Sequence, residues 1–326
     1  MRHLLALSLA ACIGASALPA STQAQAQGQD FPNRPIRIIA NQSPGGISDI
    51  FIRAVGEELH KRWGQPVVVE NRPGGRENIG VRACQDSTPD GYTICILYSD
   101  ALVYNPHLFK KLPFDLKGVQ PMTNLFYILQ TLVASADLKV KTLDELVALS
   151  KAKPGTLNYT TPVYAAVAMM TRLEKERGAD WVRVPFKGGG DAVTAVLSGT
   201  TQITIVGEGN LTSHIRSGKM TPLAMVNNIR SQNFPDVPTL KEAGYDGPPS
   251  KASFGLFAPA GVSRAIIDKY VAEVGKIVND PAFAAKNLKA RSLVAAISTP
   301  EAYAQELEKD RAAAAEVVKN AGLEAQ

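Results

Sequence analysis

The chain has 326 residues, of which 45% are hydrophobic and 20% are charged, so it can bury one large core or two smaller ones, and we expect two domains. The formal net charge is only +5, and the basic residues are spread along the chain without a basic cluster interleaved with aromatic residues. This pattern argues against nucleic-acid binding, and a weakly positive field suits an anionic ligand.

The first segment is typical of a secretory signal peptide. Arg2 precedes an apolar run at residues 4–18, which is followed by a small-residue cleavage site at residues 24–26. The run is shorter than the roughly 20 apolar residues of a transmembrane helix. We therefore expect cleavage after Ala26 and export to the periplasm. Processing as a lipoprotein at Cys12 is the alternative, which is disfavoured because the apolar run continues beyond this cysteine.

Two cysteines remain after such a cut, Cys84 and Cys95. An oxidising compartment permits them to pair, and a helix that ends near Cys84, followed by a strand through Cys95, could bring them together. Two buried thiols that never meet are equally compatible with the sequence. The sequence therefore leaves their pairing open.

Strand-like and helix-like segments alternate along the chain, which is typical of parallel sheets covered by helices. The opening part is predicted as strands at residues 37–40, 66–70 and 92–97 and helices at residues 50–63 and 78–85. The middle part is predicted as strands at residues 130–135, 156–160, 181–185, 202–206 and 223–226, with helices including residues 143–152 and 165–177. A proline-rich stretch at residues 234–249 precedes a strand at residues 254–257 and two helices that end near residue 320.

The two final helices have no sheet of their own, so they must pack on an existing sheet. We therefore expect a discontinuous first lobe of residues 27–127 and 229–326, after a signal peptide of residues 1–26. Residues 128–228 form the second lobe, and the two chain crossings between the lobes act as a hinge.

The loop after the first strand is the first candidate for ligand binding. Ligands of open α/β sheets bind beyond the carboxyl ends of strands, where loops lead into helix N-termini with unpaired N–H groups. Glycines in this loop let the backbone approach a carboxylate, and Ser48 or Asp49 can cap the following helix. A plain glycine turn with an ordinary cap is the alternative. The residues concerned are Ser43, Pro44, Gly45, Gly46, Ile47, Ser48 and Asp49.

The second lobe offers two more loops of the same kind. Thr160, Thr161 and Tyr164 supply two hydroxyls and an aromatic ring at the start of a helix. Lys187 and Gly188 follow the next strand and open another helix. Either loop can also be a plain connection, and Lys187 alone is compatible with a solvated charge.

Polar groups at other strand ends complete the candidate set: Ser99, Asp100 and Glu208. Either acid could accept a hydrogen bond from a ligand or cap the following helix, and capping is the simpler interpretation of Asp100. Two acids close to the ligand would oppose a second ligand carboxylate. The number of acid groups on the ligand therefore stays open.

The sequence carries no recognisable enzyme signature. A Gly-x-Gly-x-x-Gly turn, a Walker phosphate loop and a Gly-x-Ser-x-Gly elbow are all absent. His60, His107 and His214 are widely spaced and follow no metal-ligand pattern. We therefore expect no catalysis, no cofactor and no metal.

Several short segments carry a family resemblance. In chain order they are FPNRPIRII, SPGGISD, GQPVVVENRPGG, NIG, PDGYT, NP, AKPGTLNYT, VPFKGG, FPDVPTLKEAGY and GLFAPAG. Together, and at this spacing, they resemble the substrate-binding components of tripartite tricarboxylate transporters, the TctC or Bug receptors.

The resemblance implies a type II periplasmic binding-protein fold, with two α/β lobes, a hinge and a ligand cleft between them. It implies that a small organic carboxylate is held by the loops at residues 43–49 and 160–164, partly through ordered waters. It also implies delivery of that ligand to a large and a small permease subunit in the membrane. We expect a monomer. Presentation of the ligand to a signalling system is the alternative function.

Two departures from the family pattern concern the ligand. Residues 162–165 replace a stretch that is rich in glycine and serine in relatives, and Ile47 stands where a third glycine is common. Both changes add apolar bulk. The pocket is therefore expected to favour an aromatic or hydrophobic monocarboxylate or dicarboxylate over citrate.

Overall fold

The computed structural model describes residues 31–186, 189–227, 229–245, 251–320, 322–323 and 325. The expected signal peptide, with both cleavage sites, lies outside the described residues, as do Lys187 and Gly188. The described residues from Pro32 onward belong to one compact unit. No helix among the described residues has the length and apolar composition needed to cross a membrane.

Strands and helices alternate along the described chain. The strands are β1 (Ile36–Ala40), β2 (Val67–Asn71), β3 (Thr93–Tyr98), β4 (Val119–Ile128), β5 (Gln130–Ser135), β6 (Leu157–Thr160), β7 (Trp181–Arg183), β8 (Ile203–Gly207), β9 (Met220–Met225), β10 (Ser253–Pro259) and β11 (Leu293–Ala295). The helices are α1 (Ile47–Trp63), α2 (Asn78–Gln85), α3 (Asp100–Val103), α4 (Asn105–Leu108), α5 (Leu143–Ala152), α6 (Tyr164–Arg177), α7 (Gly189–Leu197), α8 (Thr212–Arg216), α9 (Arg264–Val278), α10 (Pro281–Asn287) and α11 (Pro300–Asn320).

These strands form two sheets, which share no strand. The first has the order β11-β4-β10-β3-β1-β2, with β1 parallel to β2 and β3, and with β10 antiparallel to β3 and β4. The second has the order β7-β6-β8-β5-β9, with β6 parallel to β7 and β8, and β5 antiparallel to β8 and β9. The carboxyl ends of β1, β2 and β3 therefore lie at one edge of the first sheet, and those of β6 and β8 at one edge of the second.

The expectation of parallel sheets is wrong in part, because both sheets are mixed. The strand β4 was not predicted, because Gln120, Pro121 and Asn124 interrupt the apolar pattern typical of a buried strand. Pro121 lies opposite Phe257 next to a shift in register, so the strand tolerates a residue that cannot donate to the ladder.

The chain segments that cross between the two sheets lie close together. Leu129 separates β4 from β5, and Asn227 follows β9 and holds this crossing, since its Oδ1 accepts from Gln130 N at 2.6 Å. The later strands β10 and β11 add to the first sheet. The lobe boundaries stay predictions. The hinge also stays a prediction, because it concerns a motion between the two lobes.

Helix α11 contacts both the first sheet and helix α6, which follows a strand of the second sheet. Its Tyr303 is fully buried, and a Cβ on Gly255 in β10 would come within 2.2 Å of the tyrosine oxygen, so only glycine fits there. Farther along, α11 packs against α6. Lys175 in α6 donates to the carbonyl oxygen of Asn320 at 2.9 Å.

A disulfide joins Cys84 at the end of α2 to Cys95 in β3. Both sulfur-bearing residues are fully buried in the core beneath the first sheet. The pairing that the sequence left open is therefore present in the structure.

Candidate functional site

The loop between β1 and α1 ends in an uncapped helix N-terminus. The first helical hydrogen bond runs from Ile50 N to the oxygen of Gly46 at 3.0 Å, so the N–H groups at residues 47–49 precede the helical ladder. Gly46 is the N-cap residue and makes no side-chain cap. The expectation that Ser48 or Asp49 caps this helix is wrong, because the helix begins at Ile47 and includes both residues.

Asp49 instead holds the shape of the loop. It is 4% exposed, and its carboxylate accepts from Gly45 N at 2.9 Å, from Arg53 Nε at 3.0 Å and from Asn71 Nδ2 at 2.9 Å. Gly45 has φ +77°, a conformation that favours glycine. Burial alone raises the pKa of the Asp49 carboxyl, but the hydrogen bonds from Arg53, Gly45 and Asn71 outweigh burial and hold it below its ordinary value.

Three buried polar atoms at these strand ends are unpartnered. Ser48 Oγ, Thr160 Oγ1 and Asn41 Nδ2 have no hydrogen-bond partner within the part of the chain that the structure describes. The three residues are at most 1% exposed. Buried polar groups without partners are costly, so a ligand bound at the carboxyl ends of β1 and β6 and at the first turn of α1 would satisfy them.

Thr161 shows what a satisfied hydroxyl looks like at the neighbouring position. Its Oγ1 donates to the oxygen of Ile205 at 2.6 Å and accepts from Val163 N at 3.1 Å. This hydroxyl shapes the loop between β6 and α6. Thr160 Oγ1 has no such role, although the Thr160 carbonyl accepts from Thr204 at 2.9 Å.

The first residue of α6 contacts residues that follow strands of the first sheet. The ring of Tyr164 lies 5.7 Å from the ring of Tyr104, and the guanidinium carbon of Arg76 lies 5.2 Å from the Tyr164 ring centroid. Arg76 follows β2, and Tyr104 follows α3. The loop at residues 160–164 therefore lies against the same edge of the first sheet that carries the loop at residues 43–49.

Asp100 is a buried acid at this edge. It is 8% exposed, it interacts with the hydroxyl of Tyr98, and it is the first residue of α3, where it makes no cap. Burial, together with the nearby Glu77 carboxylate, raises the pKa of Asp100 to about 7. The pKa of Glu77 is also raised, mainly by burial. A fraction of Asp100 is therefore protonated at neutral pH. The expectation that Asp100 caps the helix is wrong, because its side chain makes no cap.

A cavity of about 780 Å³ lies between α6 and α11, and we call it the α6–α11 cavity. Asp100 and Tyr104 line it next to the first sheet, Val163 and Met169 line it along α6, and Val317 lines it along α11. Val163 belongs to the loop at residues 160–164, and Asp100 follows β3, so the cavity borders the second of the two candidate loops.

Other predicted residues have different positions. Ser43 and Pro44 are exposed, and Gly46 and Ile47 are half-buried. Ser99 Oγ accepts from Ser253 N at 3.2 Å and so ties β3 to β10. Their contact with a ligand stays a prediction.

Glu208 lies at the chain crossing. Its backbone N–H donates to Leu129, and its Oε1 accepts from Asn233 Nδ2 at 3.1 Å, which also donates to Ser292 Oγ at 3.0 Å. It is fully buried, and its Oε2 has no partner among the described residues. Glu208 is not among the residues that line the α6–α11 cavity.

Arg76, Glu77 and Tyr104 were not predicted from the sequence. Arg76 and Glu77 follow β2 in a glycine-rich loop, so the rule applied to the loop after β1 would have selected them. Both have left-handed backbone conformations, with φ 53° and 68°. Tyr104 gives no local signal, because its position depends on contacts with α6. No group of three or more histidine, cysteine or acidic residues within the described ranges can hold a metal ion.

Comparison with known proteins identifies the family. The model described as "Tripartite tricarboxylate transporter family receptor" (TctC) matches residues 51–323, which leaves the loop at residues 43–49 before the matched segment. The protein BugT of Bordetella pertussis is 35% identical over 263 residues, which cover 79% of this chain and 81% of that protein.

Solved structures agree with this assignment. The periplasmic binding protein BugD is 25% identical with a TM-score of 0.75, over 91% of this chain and 100% of that chain. MatC of Rhodopseudomonas palustris, solved with bound malate, is 26% identical with a TM-score of 0.74, over 88% of this chain and 100% of that chain. The expected periplasmic binding-protein fold is confirmed, and this chain belongs to the TctC family of tripartite tricarboxylate transporter receptors.

Proposed function

We propose that this protein is a periplasmic receptor that captures a small organic carboxylate and delivers it to a tripartite tricarboxylate-type permease. It binds its ligand without transforming it and acts as a monomer. Membership of a receptor family supports the binding role. The malate bound to MatC supports a carboxylate as ligand.

The observation that carries this proposal is the pair of unpartnered hydroxyls on Ser48 and Thr160. Each lies at or beside the N-terminus of a helix, where free N–H groups and the helix dipole favour an anion. A buried hydroxyl without a partner costs about 1–3 kcal/mol. A carboxylate that accepts from both hydroxyls recovers this cost, so binding is favourable where the unliganded protein is under-satisfied.

The experiment compares two adjacent threonines. In Thr160→Val the lost hydroxyl has no partner in the described chain, so the free protein keeps or gains stability while carboxylate affinity falls about tenfold or more. In the control Thr161→Val, two hydrogen bonds are lost and the free energy of unfolding falls by about 1–3 kcal/mol. Calorimetric titration with malate and benzoate, together with urea unfolding, measures both quantities.

Equal affinity of Thr160→Val and wild type for every acid that binds would contradict the proposed site. Uptake tests the delivery step separately: a strain that lacks this receptor takes up the acid more slowly if the receptor serves a permease. Unchanged uptake would favour presentation of the ligand to a signalling system.

A further inference from the structure

The α6–α11 cavity is larger than a short acid requires. At about 780 Å³ it lies within the range of about 300–1,000 Å³ that holds drug-sized ligands. It borders the loop at residues 160–164, because Val163 lines the cavity and its N–H donates to Thr161 Oγ1, next to Thr160. A ligand held at Thr160 can therefore extend into this cavity.

Apolar side chains form part of the walls of the cavity. Val103 and Val163, with Ala168 and Met169 in α6 and Val317 in α11, supply aliphatic and thioether surface. Tyr104 adds an aromatic ring at the junction with the binding loops. Apolar surface of this kind favours a hydrocarbon or aryl group over a polar one.

Most of the charged groups along the cavity are engaged in ion pairs or hydrogen bonds, and Lys309, which also lines the cavity, is exposed to solvent. Arg172 pairs with Glu176 at 2.6 Å, and Lys251 pairs with Asp310 at 3.1 Å. Lys175 donates to a main-chain oxygen of α11. Asp100 also lines the cavity, and its charged form opposes an anionic group there. The cavity therefore offers little to stabilise a second carboxylate.

We propose that the α6–α11 cavity holds the apolar tail of the ligand, so that the substrate class is monocarboxylic acids with an extended alkyl or arylalkyl chain. This inference rests on the proposed function for the position of the acid group. In this arrangement the C-terminal helix α11 forms the outer wall of the binding site. Affinity then rises with the length of the tail and falls when the tail carries a second acid group.

A chain-length series tests the inference by calorimetric titration of the mature protein. Affinity is expected to rise from acetate through butyrate and hexanoate to octanoate by roughly threefold to fourfold for each buried methylene. The dicarboxylates adipate and suberate match hexanoate and octanoate in chain length. They are expected to bind at least tenfold more weakly than their monocarboxylate counterparts, because the cavity must then desolvate a second charge.

Two adjacent alanines of α11 give a matched pair of variants. Ala313 is exposed and lines the cavity, whereas Ala312 is exposed and does not. Ala313→Phe should weaken octanoate binding at least tenfold and leave butyrate within twofold of wild type. Ala312→Phe should change neither, and equal melting temperatures for the two variants show that both remain folded.

The outcomes separate this inference from the proposed function. If all the acids bind with similar affinity, or if adipate binds as tightly as hexanoate, the tail compartment is wrong while a carboxylate receptor stands. The same holds if Ala313→Phe leaves octanoate binding unchanged. If no acid binds and the corresponding uncharged alcohols do, both the inference and the proposed function are wrong.

Discussion

The rings of Tyr104 and Tyr164 lie 5.7 Å apart with their planes inclined by 33°, and they connect the end of α3 to the start of α6. The guanidinium of Arg76 lies over the ring of Tyr164. Aromatic pairs of this kind contribute about 0.5–1.5 kcal/mol beyond the area they bury. The protein therefore makes its own contact across the candidate site, beside the position proposed for the ligand.

Loss of this ring pair should weaken ligand binding. Tyr164→Ala removes a contact that favours the arrangement in which both loops face the ligand, so we expect affinity to fall about fivefold. Tyr164→Phe keeps the ring and serves as the control, with affinity close to wild type. Calorimetric titration with the same acid measures both, and equal affinities for the alanine and phenylalanine variants would show that the stack has no part in binding.

The Asp100 carboxyl should make stability depend on pH. Its pKa in the folded protein, about 7, is above its ordinary value of 3.8 because of burial and the Glu77 carboxylate. The folded protein therefore keeps a proton that the unfolded chain releases, and its stability falls as pH rises between about 4 and 7 and levels off above 7. The slope is at most about 1.4 kcal/mol per pH unit.

Asp100→Asn should reduce that slope, because the amide does not titrate. Urea unfolding at a series of pH values between 4 and 8 measures the difference between the two proteins. The same variant should lose the part of anion affinity that wild type gains on acidification. A wild-type slope that survives in Asp100→Asn would assign the titration to another group, such as Glu77.

Removal of the disulfide should destabilise the protein without changing its ligand. Cys84→Ala/Cys95→Ala frees a constraint on the unfolded chain, and we expect the free energy of unfolding to fall by about 2–4 kcal/mol. Both residues lie in the core beneath the first sheet and do not line the α6–α11 cavity. Titration below the melting temperature should therefore give wild-type affinity, and a loss of affinity in the folded variant would contradict this separation.

Asp49 should act on the shape of the loop. Asp49→Asn keeps the size of the side chain but removes the charge that pairs with Arg53 at 2.9 Å, and it weakens the bond from Gly45. We expect a loss of about 1–3 kcal/mol in the free energy of unfolding. Because the pKa of Asp49 is lowered, this contribution is present above its ordinary pKa and is lost as pH falls through the lowered value. A variant as stable as wild type at pH 7 would argue that the loop is held by other contacts.

Local patterns predicted much of the fold. The apolar run of β3 and the amphipathic helix α1 each carry the periodicity of the element they form. The strand β4 was not predicted, because polar residues and Pro121 interrupt its apolar pattern and its partner strands lie far away in the chain. Pairing with β10, which brings apolar neighbours from a distant segment, is what makes β4 a strand.

The candidate site, too, could be predicted from the sequence only in part. The loops at residues 43–49 and 160–164 follow from a general rule about strand ends and glycine-rich or hydroxyl-bearing turns. That the hydroxyls of Ser48 and Thr160 have no partner among the described residues does not follow from this rule. The neighbouring Thr161 has the same side chain as Thr160, and its hydroxyl donates to the oxygen of Ile205. The cavity also depends on distant contacts, such as the bond from Arg311 in α11 to the oxygen of Leu102 in α3.

The most direct test of the central claim is a crystal structure of the mature protein with the tightest-binding acid of the chain-length series. We expect its carboxylate oxygens at hydrogen-bonding distance, about 2.5–3.0 Å, from Ser48 Oγ and Thr160 Oγ1. An acid group bound elsewhere, with both hydroxyls still unpartnered, would contradict the account.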